Sequence, residues 1–305
     1  MFIDNVVSVA TQVFILFVLV AVGFLCNKVK LINKETVKQM TDFVLYAVTS
    51  CVIVSSFNRD FDAARLKGLI IMFASAIAAF VLNIVLSRLT IKDKNESRKK
   101  ILRYGAVFSN AGFMALPLQE AILGEDGVFY GAIYVAVYNV VNWTYGIFLM
   151  SGDKKYISPK KAVLNPGVLG TIVGLAIFFS PFTLPQIAAK LIEYLAALNT
   201  PLPMVIIGFH LANASFKIKG FPAYFTMAFR LILSPLLIFL IMRLIGIDSI
   251  ITTSIVIAVS APFAVTNTMF TEKFGGDTQY SASMVSVTTL LSIITMPIVI
   301  GISMM

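Results

Sequence analysis

Two stretches of this chain carry the residues that decide its fold: SNAGFMALP at Ser109–Pro117 and SAPFAVTNT at Ser260–Thr268. In each stretch, small and polar residues surround a proline midway through an apolar segment. Proline removes a backbone donor and clashes with the preceding turn, and Gly112 permits the chain to unwind. The pattern predicts two membrane helices that are broken around Pro117 and Pro262.

The composition of the chain is that of an integral membrane protein. Of its 305 residues, 58% are hydrophobic and 13% are charged, whereas a soluble domain carries about 25% charged residues. The apolar residues fall into blocks of roughly 20, the length that crosses about 30 Å of hydrocarbon. We therefore predict an all-α membrane protein of ten transmembrane helices, of which helices 4 and 9 are the broken pair. The predicted spans are 6–26, 36–57, 66–88, 101–123, 127–150, 166–181, 186–213, 222–245, 249–271 and 279–303.

The distribution of Lys and Arg predicts the orientation in the membrane. The odd-numbered connections hold 18 of the 24 basic residues, including the run KDKNESRKKILR at 92–103 and the pair Lys217 and Lys219. Cytoplasmic loops retain positive charge, so we expect a multi-pass protein of the cell membrane with both termini outside. The net charge of +9 reflects this topology and a weak attraction to anionic lipid. It predicts no nucleic-acid partner.

The two halves of the chain resemble each other at a fixed offset. Asp126 and Asp277, each just after a glycine-containing turn, are 151 residues apart, and so are Gly23 and Gly174. Because five is odd, a second copy of five helices enters the membrane from the opposite side. We therefore predict an inverted repeat, with halves at 1–150 and 166–305 and a cytoplasmic linker at 151–165. Secondary transporters commonly use this plan and bind substrate where discontinuous helices meet.

Two broken helices that cross would direct two partly positive helix N-termini at one point, which suits an anion. The residues predicted to form this substrate site are Ser109, Asn110, Gly112, Pro117, Ser260, Pro262, Thr266 and Asn267. Asn139 is expected beside the crossover, and Asn213 could face the substrate or cap its helix. The competing interpretation is that both prolines only kink packed helices.

Three ionisable residues inside apolar spans are further candidates, because such groups are functional by default in membranes. His210, the single histidine, could couple protons to transport or could bind a neighbouring helix. Glu120 could carry a proton or extend to the outer surface. Arg230 could neutralise a carboxylate substrate or extend to the cytoplasmic face.

Enzymatic functions fit this sequence poorly. It has one histidine, no Cys/His cluster, no Walker A motif and no paired carboxylates with a nearby base. Without a P-loop, transport driven by ATP hydrolysis in this chain is excluded in practice. We expect no cofactor and no bound metal, apart from a coupling H⁺ or Na⁺.

Several motifs, in this order along ten spans, resemble those of the auxin efflux carrier family, which includes the plant PIN auxin exporters and bacterial malate-permease-like carriers. Asn110 followed by Pro117 is similar to the first crossover of the family, and Ala261-Pro262 to the second. The remaining matches are Asn165-Pro166, FHLAN at Phe209–Asn213 and RLILSP at Arg230–Pro235. The match runs over nearly the whole chain. The short linker is typical of the bacterial type.

This resemblance implies an elevator-type carrier of small organic anions, such as malate or auxin-like acids. Helices 1, 2, 6 and 7 would form a scaffold that holds a homodimer, and helices 3–5 and 8–10 a bundle that moves the substrate. Two alternatives stay open: a sodium-coupled carrier of larger bile-acid-like molecules, and a membrane sensor on the same fold. One departure concerns Ser50, where many family members have proline; Pro201, its counterpart in the second half, is retained.

Overall fold

The computed structural model describes residues 2–181, 184–214, 216, 218 and 220–305. Lys217 and Lys219, which contributed to the predicted orientation, lie outside the described residues. The helices are α1 (Phe2–Lys28), α2 (Lys34–Phe57), α3 (Ala63–Thr90), α4 (Glu96–Val107), α5 (111–123), α6 (125–151), α7 (Pro166–Phe178), α8 (Gln186–Ala212), α9 (Phe221–Ile245), α10 (Ser249–Ser260), α11 (Thr266–Lys273) and α12 (Thr278–Ser303). A 3₁₀ turn, Lys154–Tyr156, and a short helix, Pro159–Val163, join α6 to α7.

Membrane-crossing helices make up most of the described chain. Seven helical stretches are long and apolar enough to cross a bilayer; one of them, Ala111–Ser151, contains both α5 and α6. The shorter α7 and α10 are also apolar. The described residues form no strand. An all-helical, multi-pass membrane protein is thereby confirmed, whereas the inverted repeat of ten helices, the division of the halves and the outside position of the termini stay predictions.

Asparagine and aspartate begin six of these helices. The side chain of Asn33 accepts from the Thr36 N–H at 2.9 Å, and that of Asn165 accepts from the Gly167 N–H at 2.9 Å. The other four caps are Asp62, Asn95, Asp248 and Asp277. Each cap satisfies one of the N–H groups that lack a partner in the first helical turn. Short polar residues at the edges of apolar blocks thus set where the helices begin.

Close packing of α1 against α8 depends on two glycines that face each other. A Cβ atom on Gly23 would lie 2.2 Å from the Val205 carbonyl oxygen, and one on Gly208 would lie 2.0 Å from the Val20 carbonyl oxygen. Glycines of this kind let helix backbones approach closely in lipid, where van der Waals contact drives helix association. α1 also contacts α12, and α2 packs against α7.

The missing proline at Ser50 leaves α2 continuous. The helix runs through Ser50 with a π turn at Val44–Val48, and the Ser50 hydroxyl donates to the Pro166 carbonyl at 3.2 Å. In α8, by contrast, a 3₁₀ turn at Ala197–Asn199 directly precedes the Thr200–Pro201 step. The two proline-related positions therefore differ in backbone shape, because proline removes the N–H that a regular helix uses.

The sequence predicted that the first helix break lies around Pro117. In the structure the break lies before this proline. α4 ends at Val107, Phe108–Asn110 is not helical, and Pro117 is buried inside α5. The π turn Ala111–Ala115 comes just before this proline, and a wider turn leaves room for its ring. α10 does end directly before Pro262, at Ala261 with φ −61° and ψ 148°, because a residue that precedes proline avoids the helical region.

Gly208→Ala is expected to destabilise the protein, because the added methyl group meets the α1 backbone. We expect a loss of about 1–3 kcal/mol, which is typical of overpacking, seen as a lower melting temperature in detergent. Gly112→Ala is the matched control, since its Cβ would meet nothing within 4 Å. Equal melting temperatures for the two variants would contradict this account of the α1–α8 contact.

Candidate functional site

The two helix breaks meet and hydrogen-bond to each other. The Asn110 N–H donates to the Pro262 carbonyl at 2.8 Å, and the Ala264 N–H donates to the Phe108 carbonyl at 3.1 Å. Ser109 and Phe263 are thereby paired in an isolated antiparallel bridge. Backbone groups freed by a break inside a membrane must find partners in protein or water. Here each broken helix supplies partners for the other, and we call this meeting point the crossover.

A glycine and a threonine allow this close approach. A Cβ atom on Gly105 would lie 2.0 Å from the ring of Phe263, so the ring occupies the space that a larger residue on α4 would fill. The Phe263 N–H donates to the Thr288 hydroxyl of α12 at 3.2 Å. The crossover is therefore held by α4 and α12 as well as by its own backbone pairs.

Arg230 binds the carboxyl ends of the two helices that stop at the crossover. Its Nη1 donates to the carbonyl oxygens of Ala106 at 3.2 Å and Val107 at 3.4 Å, and its Nε donates to that of Ala261 at 3.2 Å. The residue is fully buried, at 0% exposure. A cation is favourable at helix carboxyl ends, where carbonyl groups without partners carry partial negative charge.

The position of Arg230 contradicts one of the two interpretations drawn from the sequence, and the role toward a carboxylate stays a prediction. The side chain does not extend to the cytoplasmic face, because it is buried on the π turn Phe229–Leu233 of α9. It also does not line the cavity described below. Its Nε and Nη1 bind carbonyl groups that the helix breaks leave without helical partners, and its buried Nη2 has no hydrogen-bond partner among the described residues.

The amino ends of the two helices that restart at the crossover line a cavity of about 130 Å³. α5 contributes Ala111, Gly112 and Phe113, and the start of α11 contributes Val265 and Thr266. The first N–H groups of a helix have no carbonyl of a preceding turn to bind. Together with the helix dipoles, they make the cavity suitable for an anion.

Three asparagine side chains face this cavity, and two of them have no hydrogen-bond partner among the described residues: Asn110, which is 6% exposed, and Asn139. Asn142, the third, uses its Oδ1 to accept from the Tyr104 hydroxyl at 2.5 Å. Its Nδ2 is then free to donate to a bound molecule. Buried amide groups without partners are costly in a stable protein. Asn110 is buried and Asn139 is half-buried, and both amides border the cavity, so their hydrogen-bonding groups are accessible to a molecule inside it.

Tyrosine hydroxyls hold Thr266 at the start of α11. Its Oγ1 lies 2.8 Å from the hydroxyl of Tyr104 and 3.1 Å from that of Tyr138. Since Tyr104 donates to Asn142, Thr266 donates to Tyr104 and accepts from Tyr138. This chain of hydrogen bonds orients Asn142 and Thr266 together, so it preorganises two sides of the cavity.

Of the residues predicted from the sequence, Asn110, Gly112, Asn139 and Thr266 line the cavity. The others have structural contacts and do not line it. Ser109 is fully buried and pairs with Phe263 through its backbone, while its hydroxyl has no hydrogen-bond partner among the described residues. The Ser260 hydroxyl donates to the Ile257 carbonyl, and the Asn267 Nδ2 donates to the Ile101 carbonyl. Pro117 is packed inside α5, and Pro262 supplies a carbonyl to the crossover.

Asn213, Glu120 and His210 also lie away from the cavity. The Asn213 side chain donates to the Phe209 carbonyl at 2.9 Å at the end of α8, so the capping alternative describes its contact. Glu120 and His210 have exposed side chains on α5 and α8. Among the described residues, no group of three or more His, Cys, Asp or Glu side chains could hold a metal ion.

Several lining residues were missed, because their role depends on helices that are distant in sequence. α2 contributes Thr41, Leu45 and Thr49. Their spacing of four places them on one helix face, so this polar stripe was a readable signal. Asn165 was interpreted only as a helix start. Asn142, like Asn139, was expected beside the crossover. The remaining lining residues that were not predicted are Ala111, Phe113, Val135, Tyr138, Trp143, Gly167, Ala264, Val265, Met269 and Phe270.

Comparison with known proteins identifies relatives along almost the whole chain. A family model described as membrane transport protein matches residues 8–300. An uncharacterized transporter of Methanocaldococcus jannaschii is 23% identical over 295 residues, covering 92% of this chain and 94% of the relative. A protein of Rhizobium meliloti, provisionally named a malonate transporter, is 23% identical over 278 residues, covering 87% and 79% respectively. The resemblance to the auxin efflux carrier family is thereby confirmed.

Arg230→Gln is expected to lower the stability of the fold, and this loss is its primary effect, ahead of any change in ligand binding. Three carbonyl groups lose a charged donor in a buried site, which costs about 3 kcal/mol or more. The measurement is the melting temperature of purified protein in detergent. Arg243→Gln is the control, because Arg243 is an exposed residue of the same helix. A variant that melts normally yet binds no ligand would favour a direct role for Arg230 in anion binding.

Proposed function

We propose, since the chain belongs to the membrane transport protein family, that it is a secondary transporter of small organic anions. The observation that carries this proposal is the cavity at the crossover, where two helix amino ends and the unpartnered Asn110 amide converge. An anion bound there would accept hydrogen bonds from backbone N–H groups and from asparagine side chains. The driving force would be a gradient of H⁺ or Na⁺, or the membrane potential.

The size and lining of the cavity favour a small carboxylate. A cavity of about 150 Å³ holds a molecule the size of benzene, and this one is about 130 Å³. Malonate has a number of heavy atoms similar to that of benzene. One relative bears a malonate transporter name. A molecule of the bile-acid type is several times larger, so this alternative would need a wider state of the cavity.

Transport would follow an elevator mechanism in which a bundle of α3–α6 and α9–α12 moves against a scaffold of α1, α2, α7 and α8. The cavity lies between these two proposed parts: α2 and α7 supply Thr41, Thr49 and Gly167, and the bundle supplies the crossover. Substrate carried by the bundle would thus separate from the scaffold side as the bundle moves. The scaffold would also hold the proposed homodimer.

Arg59 connects the two proposed parts at the end of the molecule away from the Lys-rich connections, through a close ion pair with Asp126 and a longer one, of 3.6 Å, with Glu125. Arg59, just after α2, binds Asp126 at 2.6 Å near the start of α6, and its guanidinium lies 4.6 Å from the centre of the Phe129 ring. The Arg59 side chain is 11% exposed. Movement of the bundle would break this contact, so the pair would favour the present arrangement.

Purified protein in liposomes is expected to give saturable uptake of small mono- or dicarboxylates. The measurement compares malonate, malate and an auxin-like acid, with and without sodium and with a larger bile acid. Strict sodium dependence together with bile-acid uptake would support the alternative carrier. No saturable flux of any compound would overturn the transport proposal and leave the sensor alternative.

Asn110→Ala is expected to weaken carboxylate binding about tenfold or more, because a hydrogen bond to a charged group is lost. The fold should survive, since the Asn110 backbone forms the crossover bond. Binding is measured by calorimetry, with the melting temperature as a check on folding. Asn213→Ala is the matched control, because that side chain contacts only its own helix. Unchanged affinity in Asn110→Ala would place the site elsewhere.

Arg59→Gln is expected to shift the protein away from the present arrangement by about twofold to fivefold, as one partly buried ion pair permits. Gly112→Cys, in a chain with Cys26 and Cys51 replaced by Ala, reports cavity opening. A membrane-impermeant thiol reagent is added on the side away from the Lys-rich connections, and its labelling rate should rise. Lys155→Gln is the control, since Lys155 pairs with Asp153 within one connection. Equal labelling with and without Arg59 would contradict the proposed role of the pair.

A further inference from the structure

We propose that the crossover cavity accepts one negative charge only, so that a dicarboxylic acid enters as its monoanion and carries a proton across with it. This inference rests on the proposed transport function and specifies the charge state of the substrate. It follows from the distribution of charge among the four helix ends at the crossover.

The positive charge that faces the cavity is about one elementary charge. Each helix amino end is equivalent to roughly +0.5 charge, and the two ends that line the cavity belong to α5 and α11. The described residues that line the cavity include no Lys, Arg or His. The two amino ends therefore balance one carboxylate and leave a second one without a counter-charge.

Arg230 is a fully buried cation at the crossover, and its Nε and Nη1 are bound by the protein, whereas its Nη2 has no hydrogen-bond partner among the described residues. It binds carbonyl groups at the ends of α4 and α10, and each such helix end is equivalent to roughly −0.5 charge. The guanidinium and the two carboxyl ends thus cancel to a first approximation. The region around Arg230 and the two carboxyl ends is therefore close to neutral. The region around the cavity and the two amino ends carries about one positive charge.

The other charged or titratable groups near the cavity do not supply the missing charge. Tyr104 and Tyr138 point their hydroxyls at Thr266 and are neutral hydrogen-bonding groups. The acidic and basic side chains, histidine included, on the lining helices and on α8 next to them do not line the cavity: Lys34, Glu35, Lys38 and Asp42 on α2, Glu120 on α5, Glu125 and Asp126 on α6, Lys190, Glu193 and His210 on α8, and Glu272 and Lys273 on α11. α7 has no charged residue.

A second ionised carboxylate in this cavity would lose its hydration without gaining a cation, at a cost of several kcal/mol. A protonated carboxyl group avoids that cost and needs only neutral partners. Asn139 offers such a partner, because its amide lines the cavity and forms no hydrogen bond with another described residue. The substrate would then be the proton carrier, and neither Glu120 nor His210 would be needed for coupling.

The test compares malonate with its monoamide, which carries a single carboxylate at every relevant pH. Calorimetry on the wild-type protein measures both dissociation constants between about pH 5 and about pH 8. We expect the dissociation constant of the monoamide to change by less than about twofold. We expect the dissociation constant of malonate to rise about tenfold for each pH unit above its second ionisation. Since the monoamide reports any titration of the protein itself, the difference isolates the charge of the substrate.

Flux in liposomes gives a second, independent readout. Malonate uptake should acidify a vesicle interior that contains a pH-sensitive dye, whereas monoamide uptake should not. Malonate binding that is independent of pH and at least as tight as that of the monoamide at about pH 8 would overturn the inference and leave the transport proposal standing. Failure of both compounds to bind at any pH would overturn both.

Discussion

The backbone pairing of two helix breaks inside the membrane is the interaction on which the rest of this structure depends. Hydrocarbon offers no partner to a free N–H or carbonyl group, so neither break could exist alone. The bonds Asn110 to Pro262 and Ala264 to Phe108 satisfy both breaks at once. They also bring residues separated by about 150 positions in the chain into one site. A single break would leave backbone groups without partners in the membrane. When a second break meets it, the two satisfy each other and form the candidate binding surface.

The crossover produces four helix ends, and the protein treats the two kinds differently. The carboxyl ends of α4 and α10 are neutralised from inside the protein by the buried guanidinium of Arg230. The amino ends of α5 and α11 face a cavity that no carboxylate of the described residues lines. This asymmetry is the physical basis of the proposed anion binding: the protein itself provides partners for one pair of helix ends, and the other pair faces the cavity.

Preorganisation extends from the crossover through aromatic hydroxyls. Tyr104 and Tyr138 hold Thr266, and Tyr104 also binds the Asn142 Oδ1, so that the Asn142 Nδ2 donor is positioned before a ligand arrives. The unpartnered amides of Asn110 and Asn139 occupy the remaining sides. Donors that are held in place by the protein reduce the ordering that binding would otherwise require. A small, donor-rich cavity between α2 and the crossover therefore fits a compact carboxylate better than a large amphipathic acid.

The sequence by itself determined the class of the protein, the approximate helix limits and the presence of two breaks, because these follow from local composition. Long apolar blocks, asparagine and aspartate caps, and prolines act within a few residues. Asn110, Gly112, Asn139 and Thr266 were readable for the same reason. Only the tertiary structure decided that the first break precedes Pro117, that Arg230 binds helix ends, and that α2 and α7 complete the cavity. Those facts depend on which distant helices meet, and a burial pattern within one helix carries no information about its partner.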